Sequence, residues 1–254
     1  MSTSSERRGL RFRVSGVVKR AVLGFYGIPL SRHGIDSGLV PFLREGVPVT
    51  LIDVGASSGA FTAAVHAHCG VTRALLAEPQ PARCHALRAR FSDARFAIHN
   101  CAVSNLAGTT EMDILNFDYS SSLLPVMAGV GGAGDRLDLT VKERITVLTR
   151  TLDELVRESA LDGTIDLLKI DTQGTELDVL QGASAVLARV RMVWTEISFR
   201  AMYEGSALFA DVHAQLSRHG FRLYSIHDGF RGADGELLQG DALFLSSAVR
   251  TPVP

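Results

Sequence analysis

From residue 48 onward, short apolar β-rich runs alternate with stretches whose apolar residues recur at helical spacing. VTLIDVG reads as a strand and FTAAVHAHC as a helix. RALLAEP is a strand, ARCHALRARF a helix and ARFAIHN a strand. After a break, TLDELVRE is helical, IDLLKID a strand, ELDVLQGASAVLARV one helix, RMVWTEISF a strand and LFADVHAQLSRHG a helix. FRLYSI and DALFLSS flank a Gly-rich turn and read as a closing antiparallel hairpin. LLKI, ALLA and MVW are nearly continuous apolar runs, as strands buried on both faces of a parallel sheet require. The pattern predicts one α/β domain, doubly wound about a mostly parallel, seven-stranded sheet.

Two segments depart from this rhythm. Residues 105–146 form a long connection with a Gly-rich stretch at 129–134, which reads as a functional or structureless excursion. Residues 1–33 hold seven Lys and Arg against Glu6 alone. Val14, Val17, Val18, Ala21, Val22 and Phe25 stripe one side of a helix there. That helix either docks on the domain with its basic face in water or meets a membrane surface, partner or anionic substrate. The division expected is a basic helical segment at 1–47 and a ligand-binding domain at 48–254.

The composition narrows the class. With 254 residues, 26 Lys plus Arg and 27 Asp plus Glu, the net charge is −1, which disfavours bulk electrostatic binding of nucleic acid. Cys69, Cys84 and Cys101 cannot all pair within the chain and lack CxxC spacing, so free thiols and a cytoplasmic setting are expected.

The first strand ends Asp53-Val54-Gly55-Ala56-Ser57-Ser58-Gly59, a glycine turn feeding a helix. It is D-x-G-x-x-x-G rather than G-x-G-x-x-G; Ser57 stands where a dinucleotide fold wants glycine against a pyrophosphate. Glu78 ends the second strand 23 residues beyond Gly55, the spacing of a carboxylate that accepts from ribose hydroxyls. Asn100 and Ala102 close the third strand, the edge expected beside an adenine. Acidic residues around a phosphate-free turn favour a cationic nucleoside, S-adenosyl-L-methionine.

On these residues, and on Leu152-Asp153, Leu168-Lys169-Ile170-Asp171-Thr172-Gln173-Gly174, Glu176-Leu177, Thr195-Glu196, Met202-Tyr203-Glu204-Gly205 and Gly220-Phe221, the chain resembles the FkbM family of S-adenosylmethionine-dependent methyltransferases. The resemblance spans about residues 50–245, with Ser57 where that family usually has Asn. It implies a class I methyltransferase fold, Rossmann-like, and O-methylation of a hydroxyl, often of a sugar in a glycan, glycolipid or natural product.

Ligands of open α/β sheets bind beyond the carboxyl ends of the strands, where Asp171 and Glu196 fall. Either can orient an acceptor or take its proton, or the pair can share a divalent cation such as Mg²⁺. Asp171 can equally cap the next helix, and Glu196 can brace a loop. Lys169 reads as either pointing toward the site or extending past a covering helix to water. Glu176 and Asp178 read as acids at a helix start. Tyr203 and Glu204 read as part of the acceptor pocket or equally as a packing corner, His227 is a candidate for the acceptor pocket, and Cys84 is a core thiol. The rival readings are an NAD-type oxidoreductase and a non-catalytic cofactor-binding adaptor.

Overall fold

The structure, a computed structural model, describes residues 35–36, 38–117, 120–128, 130, 138–232 and 235–249. The basic stripe at 14–25 lies outside the described residues, as does most of 129–134. The strands are β1 (Val49–Val54), β2 (Val71–Ala77), β3 (Phe96–His99), β4 (Ala102–Val103), β5 (Gly108–Leu115), β6 (Val141–Arg150), β7 (Ile165–Ile170), β8 (Val190–Ser198), β9 (Phe221–Asp228) and β10 (Gln239–Ser246). The helices are α1 (Ala60–His68), α2 (Pro81–Arg90), α3 (Leu152–Glu158), α4 (Glu176–Gln181), α5 (Ser184–Leu187) and α6 (Phe209–Arg218).

Seven strands form one sheet in the order β3-β2-β1-β7-β8-β10-β9. Neighbours from β3 to β8 pair parallel, and β10 runs antiparallel between β8 and β9. Strand alternation splits the core in two. Ile52, Leu75, Leu168, Val193 and Phe244 face a layer built from α3 to α6. Leu51, Leu76, Leu167, Trp194 and Leu243 face α1 and α2. Ile35, Leu39 and Leu43 pack into that second layer, so the described part of the 1–47 segment is core.

Two local readings need correction. The 105–146 connection is not structureless: β5 and β6 pair antiparallel, and with β4 they make a second, three-stranded sheet. Its strands are hard to see because β6 is largely exposed and reads polar. Pairing across the excursion holds it. Arg144 forks onto Asp113 at 2.6 and 3.1 Å from the register position opposite, and the Thr146 hydroxyl donates to Glu111 at 2.8 Å. The single helix expected over 176–190 is broken into α4 and α5. At Gly182 a β-carbon would lie 2.1 Å from the Ser104 carbonyl, and Asp153 caps α5 by accepting from the Ala185 and Val186 amides.

Gly55 ties the central strands together beyond their ends. Its φ is +71°, and an added β-carbon would sit 1.9 Å from the Asp171 carbonyl oxygen. Gly55→Ala should therefore lower stability by about 2–4 kcal/mol, through strain at both the dihedral and the contact. Thermal denaturation should show a melting midpoint lower by roughly 5–15 °C.

Candidate active site

One cavity of about 350 Å³ opens at the carboxyl ends of the central strands. At the β1–β2 side it is lined by Gly55, Ser57, Glu78, Pro79 and Gln80, with Ala77, Cys101, Ala102 and Met112 as an apolar wall. At the β7–β8 side the lining is Asp171, Thr172, Gln173, Glu196, Gln239 and Asp241. Phe117, Ser120, Ser121 and Leu123 from the second sheet's connection reach it, as does Phe230 before β10.

Glu78 organises the first side. Its Oε2 accepts from the Ser57 amide at 2.7 Å and its Oε1 from the Gln80 amide at 2.9 Å. Burial pushes its carboxyl above the usual range, opposed by those amides and by Arg83. Ser57 has φ +51°, a left-handed conformation that Asn or Gly adopts most readily, and Arg83 donates to its hydroxyl. Asn100 is not in the lining; its amide donates to the Glu78 and Pro79 carbonyls at 3.0 and 2.9 Å and fixes that strand end. Gly59 also lies outside, its α-carbon pressed on Phe91 and Leu87.

A buried cation organises the second side. Lys169 does not reach past a helix to water. Its ammonium lies 3.3 Å from Asp53, 3.4 Å from Asp171 and 2.8 Å from the Gly55 carbonyl, because the strand directs it beneath the β1 turn. Burial alone would discharge it; the two carboxylates outweigh that and raise its affinity for the proton. Asp53 is fully buried beneath the cavity, and Thr62 donates to it at 2.7 Å. Asp171 remains 41% exposed at its side chain.

Gln173 bridges the two strand-end acids. Its Nε2 donates to Asp171 at 2.8 Å and to both Glu196 oxygens at 3.1 Å. Burial, followed by the charges of Asp171, Glu176 and Asp241, pushes the Glu196 carboxyl well above its usual range. Glu176 does more than start a helix: buried, it accepts from the Thr172 amide and hydroxyl and from the Gly174 amide. The position a cation shared by Asp171 and Glu196 would need is held by an amide donor. Among the described residues no group of three or more His, Cys, Asp or Glu is arranged to hold a metal.

Tyr203, Glu204 and His227 do not line the cavity. The buried Tyr203 hydroxyl donates to the Ser120 carbonyl at 2.8 Å and to Gln173 Oε1 at 3.1 Å, locking the connection over the site. Glu204 is exposed, and its amide donates to Pro125. His227 stacks on Trp194, with Nδ1 3.1 Å from Asp36 and Nε2 2.7 Å from the Ser225 hydroxyl. Cys84 is buried, as a core thiol should be. Asp241, Gln239 and Phe230 are among the lining residues the motifs missed. A signal was present: β10 is antiparallel, so the start of DALFLSS lies at the carboxyl edge of the parallel strands.

The sheet order and the site above its central strands define a class I methyltransferase-like α/β fold. The methyltransferase FkbM domain matches residues 53–223, and the chain belongs to that family of methyltransferases. It is 26% identical over 184 residues to the 2-O-methyltransferase NoeI of Sinorhizobium fredii (strain NBRC 101917 / NGR234), a span of 70% of this chain and 74% of that protein. The crystal structure of Methyltransferase FkbM from Methylobacillus flagellatus KT superposes over 90% of this chain with TM-score 0.55 and 16% identity. This chain spans about half of that one, 52%. No helix among the described residues is long and apolar enough to cross a membrane.

Lys169→Met leaves Asp53 buried without its cation and should destabilise the fold by about 3–5 kcal/mol. Pairing it with Asp53→Asn should recover more than half of that loss, a coupling that denaturant titration of the double-mutant cycle reads directly.

Proposed function

We propose that this methyltransferase moves a methyl group from S-adenosyl-L-methionine to a hydroxyl of a sugar. The observation that carries the reading is one cavity holding both Glu78, between a glycine turn and an apolar wall, and the strand-end acid Asp171. The first side fits the methyl donor's nucleoside. Each Glu78 oxygen already accepts one amide and has a lone pair left for a ribose hydroxyl. Ala77, Cys101, Ala102 and Met112 offer an apolar slot for a purine. Bound S-adenosyl-L-methionine supplies an electrophilic methyl carbon on a sulfonium.

The chain's own residues do the rest. Ser57 and Gly59 shape the β1 turn, with Asp53 and Lys169 bracing it from below. Asp171 accepts a hydrogen bond from an acceptor hydroxyl beside the reacting one, so the reacting oxygen is held in place. Glu196 keeps Gln173, and through it Asp171, in place. Tyr203 positions Ser120 and so part of the acceptor wall. The choice of oxygen is supported by the relative named as a 2-O-methyltransferase, and the many-sided acid and amide lining suits a polyol such as a sugar. No nucleic acid is assigned as partner. A peripheral membrane contact through the basic stripe at 14–25 stays a proposal of the sequence alone.

Glu78→Ala should weaken binding of S-adenosylhomocysteine at least tenfold by calorimetry, with the melting curve near wild type. Asp171→Asn should lower kcat/KM toward the acceptor by about 10²-fold while S-adenosylhomocysteine affinity holds. Methyl transfer is read with a panel of methyl pyranosides and radiolabelled donor. A wild-type enzyme that labels none of them, but labels a non-sugar hydroxyl, sinks the sugar acceptor.

A further inference from the structure

Asp241 is the cavity acid with no assigned task. It is the third residue of β10, and because that strand runs antiparallel its first residues stand at the carboxyl edge of the sheet. It pairs in register with Glu196 on one side and with His227 on the other. Both Asp241 and Asp171 line the cavity, so one acceptor space meets two carboxylates from different strands.

The two acids are held differently. Asp171 is engaged on both oxygens, with Gln173 on Oδ1 and the Lys169 ammonium by Oδ2. With both oxygens occupied, Asp171 is fixed in place at the cavity wall. Asp241 has no hydrogen-bonding or ion-pairing side chain among the described residues, and it is only partly buried. Its neighbours are mostly acidic. Asp171 lies across the cavity, Glu196 is on β8, and Asp36 approaches from the segment before β1. Lys169 is the cation in reach, and it is shared by Asp53 and Asp171; His227 has its Nδ1 turned to Asp36.

Resting on the methyl-transfer reading above, we infer that Asp241 accepts the proton of the reacting hydroxyl, and that Asp171 orients the acceptor through a neighbouring hydroxyl. The acceptor oxygen forms the new bond to the methyl carbon, and the electron pair of the broken carbon–sulfur bond stays on sulfur. The hydroxyl proton passes to an Asp241 oxygen, leaving a neutral acid that solvent later deprotonates. Burial first, then Asp171 and Asp36, push Asp241 up to about 7, against Lys169, which pulls it down. A base in that range changes state near neutral pH, where general-base catalysis is most effective.

The ligand-free protein supplies one test. Asp241 holds its proton to higher pH folded than unfolded, so its ionisation costs stability as pH rises from about 4 to about 7, and the loss is complete above that. Asp241→Asn lacks this loss. The melting midpoint of wild type minus that of the variant should fall across the window; parallel curves overturn the assignment. Calorimetry with S-adenosylhomocysteine should give a dissociation constant within twofold for both proteins.

Transfer to the methyl pyranosides supplies the other test. Asp241→Asn should cut kcat at least 100-fold with acceptor KM within threefold, and should erase the acid limb of the pH–rate profile. Asp171→Asn should act mainly on acceptor KM and keep that limb. An acid limb that survives in Asp241→Asn and vanishes in Asp171→Asn reverses the two roles. If wild type methylates no pyranoside, the sugar reading fails, and the ligand-free titration still decides Asp241.

Discussion

The site depends on burying one ammonium group. Taking a lysine out of water costs several kcal/mol, and the structure offsets this with two carboxylates and a carbonyl around Lys169. Those partners come from three places: Asp53 inside β1, Gly55 in the turn after it, and Asp171 after β7. The ammonium therefore clamps the two loops that must lie side by side, one on the Glu78 side of the cavity and one on the Glu196 side. The missing side chain at Gly55 permits the same approach sterically, since the Asp171 carbonyl occupies the space.

Once that clamp is set, the strands fall into an order. Each central strand is apolar where helices cover it and turns polar near the cavity: Leu51 gives way to Asp53, Leu167 to Lys169, Trp194 to Glu196, and Leu243 to Asp241. The polar positions share one face of the sheet because side chains alternate with period two and neighbours pair in register. The result is a graded row. A paired ammonium and its carboxylates stand at β1 and β7, an acid pushed up by burial and neighbouring charge at β8, and an acid without a side-chain partner among the described residues at β10.

The second sheet completes the cavity. Ser122 donates to the Gln173 carbonyl at 2.6 Å, and Tyr203 joins Ser120 to the Gln173 side chain. The long connection is thus bonded to the same loop that carries Asp171. Its sheet gives it stiffness, so Phe117, Ser120 and Ser121 are held over the crevice by strand pairing rather than by a free loop.

The sequence alone determined the parallel core and the glycine turn with Glu78 beside it. Continuous apolar runs, the D-x-G-x-x-x-G turn and Glu78 at its spacing are local signals, each readable within one β/α unit. Asp171 and Glu196 were legible because the carboxyl end of a parallel strand follows directly from its direction. What lay beyond local reading depended on pairing between distant residues. Lys169 looked like an exposed lysine because only the neighbouring strand supplies Asp53. The β5–β6 sheet was hidden because charged pairs such as Asp113 with Arg144 look like solvent-facing loop until they meet. Asp241 joined the site because an antiparallel strand inserted between β8 and β9 brings its opening residues to the crevice, and Tyr203, Glu204 and His227 fell outside it for want of that geometry. Register and strand direction are properties of the assembled sheet, so only the tertiary structure decided which acids share the acceptor space.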